Sequence, residues 1–260
     1  GSGDIGLIMA RRMTLEGANV LACVELMPYS SGLNRNIVQC LQDFDIPLLL
    51  SHTVTNIVGR DRLERVEVSQ VDENRRPIPG TERTFDCDTL LLSVGLLPEN
   101  ELTRELGAEM DLRTNGAVVY ENMETSIPGI FACGNVLQVH DLVDFVSGES
   151  ARAGAAAAAY VLGGERGSGR VLAVGNGAAV TYTVPQRIRL EAAGEGVQVF
   201  FRVNRVFERS AVVVRSGEKQ IARYKRDHMA PGEMEHIFLP SKLLALAEAG
   251  LTVSAEEVKA

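Results

Sequence analysis

Residues 1–25 read GSGDIGLIMARRMTLEGANVLACVE, and this stretch decides the fold. Gly1, Gly3 and Gly6 fit the spacing GxGxxG, with Ser2, Asp4 and Ile5 between and beside them. In that spacing the first glycine permits a tight turn, the second lets backbone approach an anion, and the third lets a helix pack closely on a strand. Leu7, Ile8, Ala10, Met13 and Leu15 then recur at helical spacing, and Gly17 marks the stop. Asn19–Glu25 is apolar almost throughout, as a buried parallel strand is, and it ends in an acid. Glu25 lies 19 positions beyond Gly6, where a carboxylate can accept hydrogen bonds from an adenosine ribose and repel a 2′-phosphate. The pattern points to NAD(H) rather than NADP(H). A tight strand-to-helix turn with an exposed Glu25 is the plainer alternative. A glycine loop of this kind is fed by a buried strand, so the sequence is expected to be part of a longer chain.

The 260 residues are 45% hydrophobic and 23% charged, which suits about two globular domains. A net charge of -8 argues against general nucleic-acid binding, which needs a basic footprint. Cys23, Cys40, Cys87 and Cys133 form no CxxC and no zinc-like spacing, which argues against a disulfide scaffold, a metal site or an internal dithiol. A reducing compartment follows, with the cytoplasm as the expected location. No apolar run reaches the length of a membrane span.

Beyond Glu25, Met27–Leu33 reads as a loop, with Asn34 capping a helix that runs to Phe44. A strand is expected over Leu48–His52. A meander follows over Val54–Val58, Leu63–Val71 and Thr81–Phe85. Thr89–Val94 (TLLLSV) has the pattern of another fully buried strand, closed by Gly95 and Pro98. His52 reads as a polar strand end, and Arg60–Arg62 as a hairpin tip. Farther on, Pro128 and Gly129 make a turn, Ile130–Ala132 a short buried strand, and Gly134 a place of close backbone access. A helix rich in alanine is expected over Ala151–Leu162.

The run Val94-Gly95-Leu96-Leu97-Pro98-Glu99-Asn100 after the meander, together with Thr125–Asn135 (TSIPGIFACGN), resembles the two-dinucleotide flavoprotein, or pyridine nucleotide-disulfide oxidoreductase-like, superfamily. The resemblance covers residues 1–165. It implies that Gly1, Gly3, Asp4, Ile5, Gly6, Glu25 and Gly95 belong to an NAD(H) site. It also implies that Gly134 and Asn135 approach FAD, with Asn135 standing where the family has the aspartate of the ribityl contact. The helix turn near Val143 and Asp144 would aim backbone N–H groups at the flavin C2 carbonyl, although Asp144 is equally read as a helix cap. His140 and Asp141 are open to two readings, a proton relay or a polar loop. The family's Gly-Arg pair is Gly95-Leu96 here. The implied activity is hydride transfer between NAD(H) and FAD, with electrons passed to or from a partner. The local sequence of Gly1–Glu25, Met27–Asp43 and Cys133–Ser147 is similar to FAD-dependent oxidoreductases that accompany glycerol-3-phosphate dehydrogenase-type proteins. The loop that holds the ADP half of FAD should precede residue 1. The chain alone is therefore expected to bind flavin poorly, and a stoichiometrically yellow preparation would contradict this.

Gly163, Gly164, Gly167, Ser168 and Gly169 form a linker. Strands are expected over Val171–Val174, Ala179–Val184, Arg187–Leu190, Val197–Val203, Ala211–Val214, Gln220–Tyr224 and Ile237–Leu239, then a helix over Lys242–Ala249 capped by Ser241 and a charged tail. The expected class is α/β: a Rossmann-like NAD-binding domain with a β-meander (1–97), part of an FAD-binding domain (98–165) and a small antiparallel β domain (166–260). Residues 170–226 hold eleven Lys or Arg against four acids, a local +7 after a stretch of -11. That charge fits an acidic protein partner, such as a dehydrogenase subunit, or equally the solvated outer face of a sheet. Two rival functions use the same features: a non-catalytic NAD(H)-binding module, and an interaction subunit that completes a flavin site in trans.

Overall fold

The computed structural model describes residues 1–164 and 169–258, so Gly167 and Ser168 of the expected linker lie outside the described residues. Packing divides the chain into two compact units, Gly1–Leu96 and Leu97–Ala260.

In the first unit, α1 (Asp4–Leu15) ends as its sequence dictates. Gly17 takes φ of 92°, and the N–H groups of Gly17 and Ala18 turn back to the carbonyls of Thr14 and Met13. β1 (Cys23–Val24) pairs in parallel with β2 (Leu48–Leu49). Both strands are shorter than their apolar runs, although the Glu25 N–H still reaches the Leu49 carbonyl at 2.9 Å. Between them in sequence lies α2 (Asn34–Cys40), capped by Leu33 rather than Asn34 and followed by a separate 3₁₀ turn at Gln42–Phe44. Leu7, Ala10, Cys23, Cys40, Leu41 and Ile46 form the core. The meander is a three-stranded antiparallel sheet of β3 (His52–Val58), β4 (Arg65–Gln70) and β5 (Arg83–Asp86).

One expectation is corrected in this unit. Thr89–Val94 forms no strand and joins no ladder, and Leu92 and Val94 are 74% and 82% exposed. A parallel strand needs a neighbour along its hydrogen-bonding edge. Here Gly1 stands between: its amino group donates to the Val24 carbonyl at 2.8 Å, and a Cβ built on it would overlap the Ser93 carbonyl oxygen. The run keeps a strand's composition without a ladder partner among the described residues.

The second unit begins with α3 (Glu101–Glu105) and a series of single bridges, Met110 to Ala117, Val119 to Thr125 and Glu124 to Phe131. α4 (Val143–Val161) starts eight residues before the expected helix, because Leu142 is extended and the chain turns helical directly after it. A five-stranded sheet then forms in the order β11 (Lys219–Arg226), β10 (Ser210–Ser216), β13 (Leu251–Glu257), β6 (Val171–Asn176), β8 (Arg187–Arg189). A three-stranded sheet has β12 (Glu235–Pro240), β9 (Gly196–Val203) and β7 (Val180–Val184). Phe201, Phe207, Ile188, Val212, Val253 and Leu239 belong to the single core between these sheets. A second cluster joins Ala117, Val119, Met123, Leu137 and Ala153 to Tyr182 and Val184. The stretches 98–165 and 166–260 thus share apolar packing inside one unit.

Two further corrections concern the C-terminus. The expected helix over Lys242–Ala249 shrinks to α5 (Ser241–Leu244), capped by Pro240 and followed by tight turns at Leu246 and Ala247. The charged tail is instead β13, which is antiparallel to β10 and parallel to β6 and therefore sits inside the sheet. The β region is for this reason mixed, not purely antiparallel. The edge strand β11 carries Lys219, Arg223, Lys225 and Arg226, charges that discourage edge-to-edge association.

Fully buried Phe201 makes a direct test of this core. Phe201→Ala is expected to lower unfolding stability by about 3–5 kcal/mol in urea denaturation. Phe238→Ala, at a ring that is 50% exposed, should cost less than about 1 kcal/mol.

Candidate functional site

The glycine loop is held from behind by a buried acid. Glu25 is 7% exposed, and its Oε2 accepts from the Ser2 N–H at 2.9 Å and the Ser2 hydroxyl at 2.5 Å. Its Oε1 accepts from the Met27 N–H at 2.9 Å. The Ser30 hydroxyl donates to the Ser2 carbonyl at 2.9 Å, drawing the 26–33 loop onto the same turn. Asp4 faces the other way: its Oδ1 accepts from the Leu33 N–H at 2.8 Å and the Asn36 amide at 2.7 Å. Asp4 thereby anchors the start of α2. Ile5 is 64% exposed.

The three glycines are constrained differently. A Cβ on Gly6 would meet the Gly1 carbonyl at 2.6 Å, so packing alone excludes a side chain. At Gly3 the nearest atom is the Ser31 hydroxyl at 3.6 Å, an ordinary contact, and φ of -66° suits any residue. Nothing in the protein demands glycine there, whereas a close anionic ligand would. The N–H groups of Asp4, Ile5 and Gly6 have no acceptor within the helix, and Gly3 offers no capping side chain. The loop therefore fits a pyrophosphate. Gly95, at the end of the Thr89–Val94 run, takes φ of 118° and has open space around its Cα.

In the second unit another buried glutamate does a comparable job. Glu149 on α4 is 0% exposed; its Oε1 accepts from the Gly134 N–H at 2.6 Å and faces His140 Nε2 at 3.2 Å. Its Oε2 accepts from the Gln138 amide at 2.9 Å. Gly134 has φ of 73° and opens a 3₁₀ turn, Gly134–Val136. Asn135 is exposed, and its Oδ1 accepts from the His140 N–H at 3.2 Å, which leaves the amide nitrogen as a donor facing outward. Val143 and Asp144 are exposed at the start of α4, where no side chain caps the helix. Asp144 is thus not a cap. A donor at Asn135 and unpaired N–H groups at the helix start suit hydroxyl and carbonyl acceptors, the groups a flavin presents.

His140 is buried against Glu149 and against the Phe200 ring, and its Nδ1 has no partner. Asp141 pairs with Arg202 at 2.5 Å and accepts from the Met234 N–H. Arg202 also donates to the Val139 carbonyl and the Tyr182 hydroxyl, so the 139–141 loop is clamped to the β sheets. Asp141 is therefore a structural anchor. His52 bonds to the Leu50 carbonyl, two residues away. Burial pushes the Cys23 thiol up, opposed by the Gly1 amine and assisted by Glu25. All four cysteines are free. Among the described residues no group of three His, Cys, Asp or Glu could hold a metal, and no helix is long and apolar enough to cross a membrane.

The basic stretch is largely neutralised from within. Arg187, Arg189, Arg202, Arg205, Arg215, Lys219, Arg223 and Arg226 form ion pairs with Glu109, Glu121, Glu124, Asp141, Glu257, Glu256, Glu248 and Glu235. Arg189 is the most enclosed, sandwiched between Glu121 and Glu124 with its guanidinium 4.2 Å from the Tyr120 ring centre. It borders a cleft of about 200 Å³ whose charges are already matched. Sequence reasoning missed Ser2, Glu149, Arg189 and Arg202. Only an i, i+15 pairing of Gly134 with Glu149 could have hinted at one of them, and that spacing has no local signature.

Glu149→Ala would leave the Gly134 N–H, the Gln138 amide and His140 without their acceptor. A loss of about 3–5 kcal/mol in urea denaturation is expected. Glu149→Gln, which keeps an acceptor oxygen, should lose less.

The family model described as pyridine nucleotide-disulphide oxidoreductase matches residues 1–160. An NADH oxidase of Methanocaldococcus jannaschii is 30% identical over 155 residues, covering 57% of this chain and 31% of that protein. A mitochondrial dihydrolipoyl dehydrogenase of Caenorhabditis elegans is 31% identical over 145 residues, covering 53% and 28%. Among solved structures, T. acidophilum thioredoxin reductase superposes with a TM-score of 0.54 at 27% identity, over 63% of this chain and 51% of that one. The chain spans less than a third of the length of those two curated relatives. The α/β class read from the sequence is that of the matched structure, and FAD and NAD(P)H are the cofactors of this class of oxidoreductase. With the glycine loop, Glu25 and the Gly134–Asn135 turn all inside the matched region, the chain belongs to the pyridine nucleotide-disulphide oxidoreductase family.

Proposed function

We propose that this chain provides the NAD(H)-binding part and one side of the flavin-binding part of an oxidoreductase that exchanges electrons with a further partner. The observation that carries this reading is the Gly3–Gly6 turn, with unpaired helix N–H groups in front and buried Glu25 behind. The N–H groups of Asp4, Ile5 and Gly6 hold the pyrophosphate, and Gly3 admits it. Glu25 accepts a ribose hydroxyl through its remaining Oε1 position and repels a 2′-phosphate. Gly95 lets the backbone turn beside the loop. In the second unit, Gly134 shapes the turn, Asn135 donates to the ribityl chain, and the N–H groups near Val143 and Asp144 face the pyrimidine carbonyl of the flavin. Helix-end N–H groups there favour negative charge on that carbonyl. The chemistry that NAD(H) and FAD supply when bound is hydride exchange between nicotinamide C4 and flavin N5. The narrower kinship with oxidoreductases that accompany glycerol-3-phosphate dehydrogenase-type proteins rests on the local sequence of Gly1–Glu25, Met27–Asp43 and Cys133–Ser147.

A second reading, an NAD(H)-binding module without turnover, is favoured by the exposed amide of Asn135 in place of an acid. Fluorescence titration with NADH and NADPH tests the nucleotide assignment without relying on turnover. NADH should bind saturably and at least about tenfold more tightly than NADPH, and Glu25→Ala should erase that preference. Absence of saturable NADH binding would sink the assignment. Bleaching of added FAD by NADH faster than in buffer alone would favour the enzyme over the module.

A further inference from the structure

We infer that Ser2 is the positioning residue for the carboxylate that distinguishes NADH from NADPH. This rests on the proposed NAD(H) site. A carboxylate offers about four acceptor positions. The Ser2 N–H and hydroxyl take both positions on Glu25 Oε2, and the Met27 N–H takes one on Oε1. A single acceptor position remains, on Oε1, so the carboxylate can present only one oxygen to a ribose hydroxyl. The orientation of that oxygen depends on two residues, and of these Ser2 alone contributes a side chain. Ser2 is 0% exposed, hence its hydroxyl cannot exchange Glu25 for water. The Met27 bond is local, two residues along the chain, and leaves the carboxylate free to rotate about it; the Ser2 bonds cross from the glycine loop and fix the plane. Ser2 lies between Gly1 and Gly3, so the element that receives the pyrophosphate and the group that reads the ribose are joined by one residue. Nucleotide specificity is thereby coupled to the shape of the loop.

The experiment measures NADH and NADPH affinities of the full chain by fluorescence titration, for the wild type, Ser2→Ala, Ser2→Gly, Glu25→Ala and Thr14→Ala. Ser2→Ala should reduce the preference for NADH about five- to tenfold, by weakening NADH while leaving NADPH unchanged. Ser2→Gly keeps the backbone N–H, removes the hydroxyl and should reproduce that loss, which keeps the test decisive if one variant does not fold. Thr14→Ala deletes a hydroxyl bond to the Ala10 carbonyl in the same helix and should leave the preference intact. Equal weakening of both dinucleotides by the Ser2 variants would show a packing role only and overturn the inference, as would wild-type preference. Failure of the underlying site looks different: the wild type binds neither dinucleotide, or Glu25→Ala retains full preference.

Discussion

A chain bent into a glycine turn leaves N–H groups that the following helix cannot satisfy, and burying them without acceptors costs about 1–3 kcal/mol each. In this protein a buried glutamate answers that constraint twice. Glu25 at the end of β1 takes the Ser2 N–H behind the first loop, and Glu149 on α4 takes the Gly134 N–H behind the second. Neither acid stands in the turn that it stabilises. Each reaches the turn from an adjoining element, so strand, turn and helix become one rigid assembly. Unpaired helix N–H groups follow the first turn at Asp4–Gly6, and another set lies at the start of α4 near Val143 and Asp144. Buried acids and open helix donors are the features on which the proposed anion and carbonyl contacts of the two turns rest.

Charge is organised by the same economy of pairing. The sequence separates an acidic first part from a basic stretch, and a linear reading turns that stretch into a positive face. In three dimensions, Glu109, Glu121, Glu124 and Asp141 from the first part of the second unit meet Arg187, Arg189 and Arg202 from the β region. Glu235, Glu248, Glu256 and Glu257 near the C-terminus meet Arg226, Lys219, Arg215 with Arg223, and Arg205. The enclosed pairs around Arg189 and Arg202 are the ones with structural leverage, because removing one partner strands a buried charge. The exposed pair of Arg205 with Glu257 contributes far less. Ionic pairing together with the shared apolar cluster explains why the β region packs with residues 97–164 in a single unit.

The elements read most directly from the sequence are those whose signals are local. The spacing of Leu7 and Ala10 with a stop at Gly17 gives α1, and alternation gives the strands of the meander and seven strands of the second unit. Thr89–Val94 misleads because apolar composition reports what a strand would bury and says nothing about whether a neighbour is present to pair with it. The tail misleads in the other direction. Thr252, Ser254, Glu256 and Glu257 are polar, yet Leu251–Glu257 lies between β10 and β6, where backbone pairing on both edges outweighs composition.

By itself the sequence determined the spacing of Gly1, Gly3 and Gly6, the acid at Glu25 and the turn at Gly134–Asn135, because each is a residue type at a short, fixed spacing, and at Gly134 the φ of 73° is one that glycine adopts without strain. The tertiary structure decided what those groups touch. It set Ser2 on Glu25, Asp4 at the start of α2, Glu149 beneath Gly134 and Asp141 in the grip of Arg202. These partners lie between 15 and 61 residues apart, except where Glu25 also meets nearby Met27. Such distances carry no periodicity, and only the packing of whole elements brings one polar group within hydrogen-bonding reach of the other.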